Sequence, residues 1–265
     1  MRGLGYNGGR NFGNPPAMQM QPYRWRLSPS FVAHAWKAAT QQHHRPLIPL
    51  IARCVPHDGV VFDVGAHAGQ FTKLFARFAR DGRVYAIEPA RYARAVLRVA
   101  LAVRRLSNIT VVPVALGAEA GAALLHTPIK ASGARGFGLA HLGAPDPRWR
   151  RVGVEEVAQT TLDALAERLA LGRLDLIKAD IEGSEMRMLA GARHTIERFR
   201  PRLLIELNAA HLARSGDTVD DAVAFLARLG YRPFLLEADG KLAPAAPGDG
   251  DFWFLPAGDP LADSL

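Results

Sequence analysis

The chain has 265 residues, 49% hydrophobic and 22% charged, which is ample for a packed core and excludes a disordered or fibrous protein. No run of 18 apolar residues and no secretory-type apolar core occurs, so neither a membrane span nor export is expected. A single cysteine, Cys54, excludes an internal disulfide framework and points to a reducing, cytoplasmic compartment.

The net charge of +8 is unevenly spread. Residues 1–53 carry seven bases (Arg2, Arg10, Arg24, Arg26, Lys37, Arg45, Arg53) and no acid, leaving the rest near neutral. A nucleic-acid enzyme would carry its basic stripe on the folded body beside the site, so a nucleic-acid partner is not expected. Residues 1–27, rich in Gly, Asn, Pro and Gln, read as a disordered basic arm. It is either a solvated extension or a contact for an anionic partner, with Tyr6, Phe12, Tyr23 and Trp25 as its docking aromatics.

Residues 28–55 read as a helical extension. Ser28-Pro29-Ser30 opens a helix with Phe31, Ala35, Ala38 and Ala39 on one face, and His43-His44-Arg45-Pro46 breaks it. Pro46 to Cys54 is a second helix. His43 and His44 are adjacent and point apart, so they make no metal pair. Cys54 lacks activating neighbours and reads as a buried hydrophobe.

The main domain is expected over residues 56–258. Val60–Val64 is a short apolar strand ending at Asp63, Gly65 and Gly69, followed by an amphipathic helix and a second strand, Arg83–Ile87, tipped by Glu88. Glycines let a backbone approach a ligand, and an acid at the second tip can accept both ribose hydroxyls. The Gly65-Ala-His-Ala-Gly69 spacing departs from the dinucleotide pattern G-x-G-x-x-G, and Asp63 would repel phosphate. S-adenosylmethionine, a phosphate-free cation, suits this turn better than NAD.

Residues 89–106 predict a helix with Tyr92, Val96, Val99 and Val103 inward and Arg91, Arg94, Arg98 and Arg105 solvated. Ile109–Ala115 predicts a third strand, placed at an edge by Pro113, with Val114, Ala115 and Leu116 walling an adenine. Leu124–His126 and Val152–Ala158 predict an antiparallel excursion. The Gly-rich stretch 131–143 between them is either a flap offering Arg135, Phe137 and His141 or a loop without a role.

Alternation then resumes. A helix capped by Thr160 or Thr161 runs to Ala170, and Leu174–Ala179 is a strand. Glu185–Phe199 is a helix weak at Gly191, Arg202–Leu207 is a strand, and 217–229 is a helix. Tyr231–Leu236 and Phe252–Leu255 close as a hairpin. The whole predicts an α/β, doubly wound, seven-stranded and mostly parallel sheet with a closing antiparallel hairpin. Lys178-Ala179-Asp180-Ile181-Glu182-Gly183-Ser184-Glu185 ends the fourth core strand, with Lys178 and Asp180 on one face and Asp180 facing Asp63 and Gly65.

Five segments, VFDVGAHAGQFT (61–72), VYAIEP (84–89), TTLDAL (160–165), LIKADIEGSEMRMLAGA (176–192) and PRLLIELN (201–208), resemble the FkbM-type S-adenosylmethionine-dependent methyltransferases in order and spacing. Asn is usual where this chain has His67. The resemblance implies a class I Rossmann-like fold and O-methylation of a hydroxyl on a small molecule, a sugar or secondary metabolite. It implies a cofactor site at Asp63, Gly65, His67, Gly69, Phe71, Glu88, Pro89, Ala115, Leu116 and Asp180.

Asp180 is the candidate base, with Glu182 and Lys178 beside it in the catalytic group and Glu206 and His211 as alternates. Asp180, Glu182 and Glu206 have the chemistry for a divalent metal, yet spacing does not gather them around one ion, and no metal is assigned. A homodimer is left open, and a nucleic-acid methyltransferase or a non-catalytic cofactor-binding protein stands as the alternative.

Overall fold

The computed structural model describes residues 18–22, 28–129, 136, 139–143 and 145–263. Inside the segment expected to lack structure, Gln19–Pro22 forms β1 and pairs in parallel with Arg151–Val154. All four of its residues are exposed. Backbone pairing with a distant strand therefore places it, which composition does not signal. The arm's aromatics, Tyr6, Phe12, Tyr23 and Trp25, lie outside the described residues, as do Arg135 and Phe137.

Helix α1 (Pro29–Thr40) begins where the Phe31 N–H donates to the Ser28 hydroxyl at 3.2 Å, and it buries Phe31, Ala35, Ala38 and Ala39 as expected. A 3₁₀ turn over Arg45–Leu47 leads to α2 (Ile48–Cys54). Cys54 is fully buried, and burial pushes its thiol up to about 12, which makes it inert.

Then come β2 (Val60–Val64), α3 (Gln70–Phe78), β3 (Arg83–Ile87), α4 (Arg91–Arg104) and β4 (Ile109–Val112). Helix α4 turns differently from expectation. Tyr92, Val96 and Ala100 pack on α1 and Leu97 and Leu101 on β3, while Val99 and Val103 are exposed. The alanines admit a close neighbour on that side, which an apolar count over valines alone misses. Arg94, expected in solvent, turns back to donate to the Glu88 carbonyl at 2.9 Å and to the Pro89 carbonyl.

The third strand stops at Val112 instead of reaching Ala115. Pro113 offers no N–H to a ladder, and the chain leaves the sheet edge to form β5 (Ala115–Leu116) in a second sheet. That sheet is completed by β6 (Gly121–Pro128), β7 (His141–Leu142) and β8 (Arg151–Thr160), with β6 and β8 antiparallel from Gly121↔Gln159 to Pro128↔Val152.

Thr161 caps α5 (Leu162–Arg168), which leads to β9 (Leu176–Ala179). The single helix expected next breaks at Gly191 into α6 (Glu185–Ala190) and α7 (Arg193–Phe199). The rest is β10 (Arg202–Leu207), α8 (Ala209–Leu212), α9 (Val219–Arg228), β11 (Tyr231–Leu236), β12 (Leu242–Pro244), β13 (Gly250–Pro256) and α10 (Pro260–Asp263).

The main sheet runs β12-β11-β13-β10-β9-β2-β3-β4, parallel from β10 to β4 and antiparallel beyond. It holds eight strands rather than seven, because three residues of the expected hairpin loop pair with β11 as β12. Pro113 places β4 at the edge, as the sequence predicts. Alternating residues feed two cores: Phe62, Val64 and Ile177 meet α5, α6, α7 and α9, and Val61, Val84 and Leu176 meet α2 and α3. No helix among the described residues is long and apolar enough to cross a membrane.

Candidate functional site

Val64 of β2 pairs with Ile87 of β3 on one side and with Ala179 of β9 on the other. The residues that follow, Gly65, Glu88 and Asp180, therefore leave the carboxyl edge of the sheet side by side, and all three line one cavity. Its volume is about 820 Å³ counting the open mouth.

Gly65 has φ +74°, and a β-carbon there would stand 1.9 Å from the Asp180 carbonyl oxygen. Only glycine lets β2 turn beneath the Asp180 backbone. His67 follows with φ 49°. Asn and His are both enriched in this left-handed region, so the replacement of the family's usual Asn preserves the turn.

Glu88 is clamped in place. Its two carboxylate oxygens accept the N–H groups of His67 and Ala90, each at 2.8 Å. Burial nonetheless pushes its carboxyl up to about 7. Each oxygen keeps a second lone pair for a ligand. Pro89, Val114, Ala115 and Leu116 form an apolar wall beside it, and Leu125, His141 and Leu142 of the second sheet face them.

Nine expected site residues thus line the cavity: Gly65, His67, Glu88, Pro89, Val114, Ala115, Leu116, Asp180 and Glu182. His141, expected on a flap, lines it too. Four others do not. Gly69 caps α3 from outside, and Asp63 lies beneath the floor, 0% exposed. The Asp63 carboxylate accepts the Thr72 hydroxyl at 2.5 Å, with the Lys178 ammonium at 4.0 Å. Phe71 stacks on His44 with centroids 4.3 Å apart and lies 5.1 Å below the Lys178 ammonium, so it serves the lysine.

Lys178 itself is buried and donates to Asp180 at 3.2 Å. Burial alone would lower its pKa, but Asp180, Asp63 and Glu206 outweigh it and hold the ammonium charged. Burial would likewise raise Asp180, yet Lys178 and a hydrogen bond with Glu206 keep it below the usual carboxylate range. The proton resides on Glu206, pushed up to about 9 by that hydrogen bond and then by burial. Asp180 is an ionised anchor for a cation and a weak proton acceptor.

Glu182 has the opposite character. Burial, aided by Asp180, pushes it up to about 7. Its carboxylate stands 3.0 Å from Nδ1 of His211, whose own pKa is lowered by burial and by Arg214. Glu185 holds the loop between them, accepting the Ile181 N–H at 2.9 Å and the Gly183 N–H at 3.0 Å. Sequence reading gave no role in this cavity to Leu125, Leu142 or Ser184, because what turns β6 and β7 toward it is the pairing of the second sheet with β5, which no local spacing announces.

A twisted parallel sheet with a glycine turn after its central strand and an acid at the next strand tip defines the class I Rossmann-like methyltransferase fold. The Methyltransferase FkbM domain model matches residues 63–233, more than half the chain, and the chain belongs to that family. A search of curated proteins gave no match.

Among solved structures, the methyltransferase FkbM from Methylobacillus flagellatus is 19% identical, covering 85% of this chain and 59% of that one at a TM-score of 0.47. This chain thus spans well under two thirds of that protein. A SAM-dependent O-methyltransferase from Thermotoga maritima is 13% identical, covering 85% of this chain and 70% of that one at a TM-score of 0.43.

Proposed function

We propose that this protein transfers a methyl group from S-adenosylmethionine to a hydroxyl of a small molecule. The observation that carries the reading is the row of Gly65, Glu88 and Asp180 along one cavity. The chemistry of the lining supports the cofactor. Among the described residues it holds Glu88, Asp180 and Glu182 but no Lys or Arg, and burial lowers His67 to about 4, a lining that favours a cation over a phosphate.

Glu88 would accept the ribose hydroxyls, Ala115 and Leu116 would cover the adenine, and Asp180 would hold the cationic end. The cofactor supplies a methyl group on a positively charged sulfur, which departs as a neutral thioether. What the protein must add is alignment of the acceptor oxygen and a place for its proton.

The Glu182–His211 pair meets the second demand better than Asp180. A carboxylate at Nδ1 fixes the ring proton there and leaves the lone pair on Nε2. That nitrogen would take the hydroxyl proton as the oxygen gains the methyl group, and Glu182 would offset the imidazolium charge.

Calorimetric titration of the full chain with S-adenosylhomocysteine and with NADH tests the cofactor. Micromolar binding of the first and none of the second is expected, and the reverse would end the proposal. A thermal-shift screen of hydroxylated sugars and polyketide-like compounds with S-adenosylhomocysteine present identifies the acceptor.

A further inference from the structure

Outside the cavity, the described surface carries a second groove that shares no residue with it. It runs along α3 from Lys73 to Arg77 and on to Arg80 beyond its end, past the end of α4, and under the turn that joins α1 to α2. Arg45, Arg77, Arg80, Arg104 and Arg105 line it, and no Asp or Glu does. All five arginines are exposed, and among the described residues none forms a salt bridge. The near-neutral total for residues 54–265 therefore conceals a strong local segregation of charge.

Ordinary structural roles account for part of this set only. Arg77 and Arg104 lie in the last turns of α3 and α4, where a cation complements the helix dipole. Arg105 is the C-cap of α4 and Arg80 stands just past α3, where it also donates to His57 at 3.3 Å, but Arg45 opens the 3₁₀ turn and has no such position, and neither helix end asks for two cations side by side. Arg105 even occupies the left-handed cap after α4, at φ 53°, where glycine would rest without strain. Lys73 contributes little free charge, since it donates to the Ala38 and Gln41 carbonyls and burial lowers it to about 8.

We propose that this groove binds the phosphodiester backbone of a nucleic acid strand. Guanidinium forks match phosphate oxygens in pairs, which favours arginine over lysine at such sites. Gln42 and Ser107 add neutral hydroxyl and amide groups of the kind that meet phosphate and sugar. A concave face suits a strand better than the flat surface of a membrane. Among the described residues the lining has no Phe, Tyr or Trp on which a base could stack, so recognition is of backbone and not of sequence.

The test is fluorescence anisotropy of the full chain with labelled 20-nucleotide RNA and DNA single strands of two unrelated sequences, from 50 to 300 mM NaCl. The two strand types separate RNA from DNA as the source of the phosphodiester. Affinity should be equal for both sequences and fall with salt, with a log–log slope of about −0.7 for each phosphate engaged.

Arg77→Glu with Arg80→Glu should weaken binding at least tenfold and flatten the slope, while S-adenosylhomocysteine affinity stays unchanged and the melting temperature falls only slightly, through loss of a cation from the last turn of α3. Three results overturn the proposal: no binding at 50 mM NaCl, binding that survives these substitutions and so belongs to the N-terminal arm, or capture by phosphatidylserine vesicles with no affinity for either strand. None of them bears on methyl transfer, because the groove and the cavity have no residue in common.

Discussion

Gly183 sits directly beneath His211. A β-carbon on Gly183 would stand 2.3 Å from the His211 carbonyl oxygen, and its φ is +103°. The glycine is what lets α8 settle on the 181–184 loop, and so what brings the imidazole of His211 to Glu182.

Gly183→Ala should therefore cost stability, both through backbone strain and through displacement of α8, by ~1–3 kcal/mol. Denaturant unfolding reads that loss. The same variant should lose turnover beyond its loss of fold, since the Glu182–His211 contact opens. Full activity in a merely less stable protein would separate the loop from the chemistry.

The pH profile follows from the same pair. His211 is already neutral near pH 7, while Glu182 ionises at about 7. The groups facing them are Asp180, Glu185, Lys178, Arg214, His141 and Asp249, from five further parts of the chain. Methyl transfer to the acceptor found by screening should rise with pH through about 7. Glu182→Gln should abolish that limb, and His211→Gln should lower kcat by about 10²-fold or more with KM little changed. A wild-type profile in Glu182→Gln would exclude the dyad.

Lys178 is held by two acids, and one of them, Asp63, has no exposure to solvent. Lys178→Met strands that carboxylate, and unfolding free energy should fall by ~3–5 kcal/mol. Adding Asp63→Asn should recover part of the loss. Strict additivity of the two substitutions in urea denaturation would show that the charges are not coupled.

Glu206 links stability to pH. Its folded pKa of about 9 lies above its ordinary value of 4.5. A raised pKa stabilises fully below the unfolded value, and the benefit fades as pH climbs through the folded value. Wild type should therefore lose melting temperature between about pH 5 and 9 from this source. Glu206→Gln, a permanent donor to Asp180, should not. The melting-temperature difference, variant minus wild type, should grow over that window, and a constant difference would contradict the shared proton.

Much of the frame was legible because it rests on local signals. Short apolar runs with glycine at their ends gave β2, β3, β9 and β10, and Pro113 gave the edge. What escaped was set by distant partners. Gln19–Pro22 has no apolar side to betray a strand, and Leu242–Pro244 is a strand only because β11 accepts it. Within the site, strand tips announced Glu88 and Asp180. His211 was legible only as an alternate base, for α8 is four residues long and its partner Glu182 belongs to another loop. Asp63 and Phe71, placed at the cofactor by the resemblance, lie against Lys178 and outside the cavity lining.

Strand β5 pairs with the end of β8, so Ala115 and Leu116 are tied by hydrogen bonds to the sheet that also bears Leu125 and His141. Both jaws of the pocket are thus a single mechanical part. Any widening of the gap between them would have to break backbone pairing between β5 and β8 or between β8 and β6, so the width is set by main-chain bonds and not by side-chain packing alone.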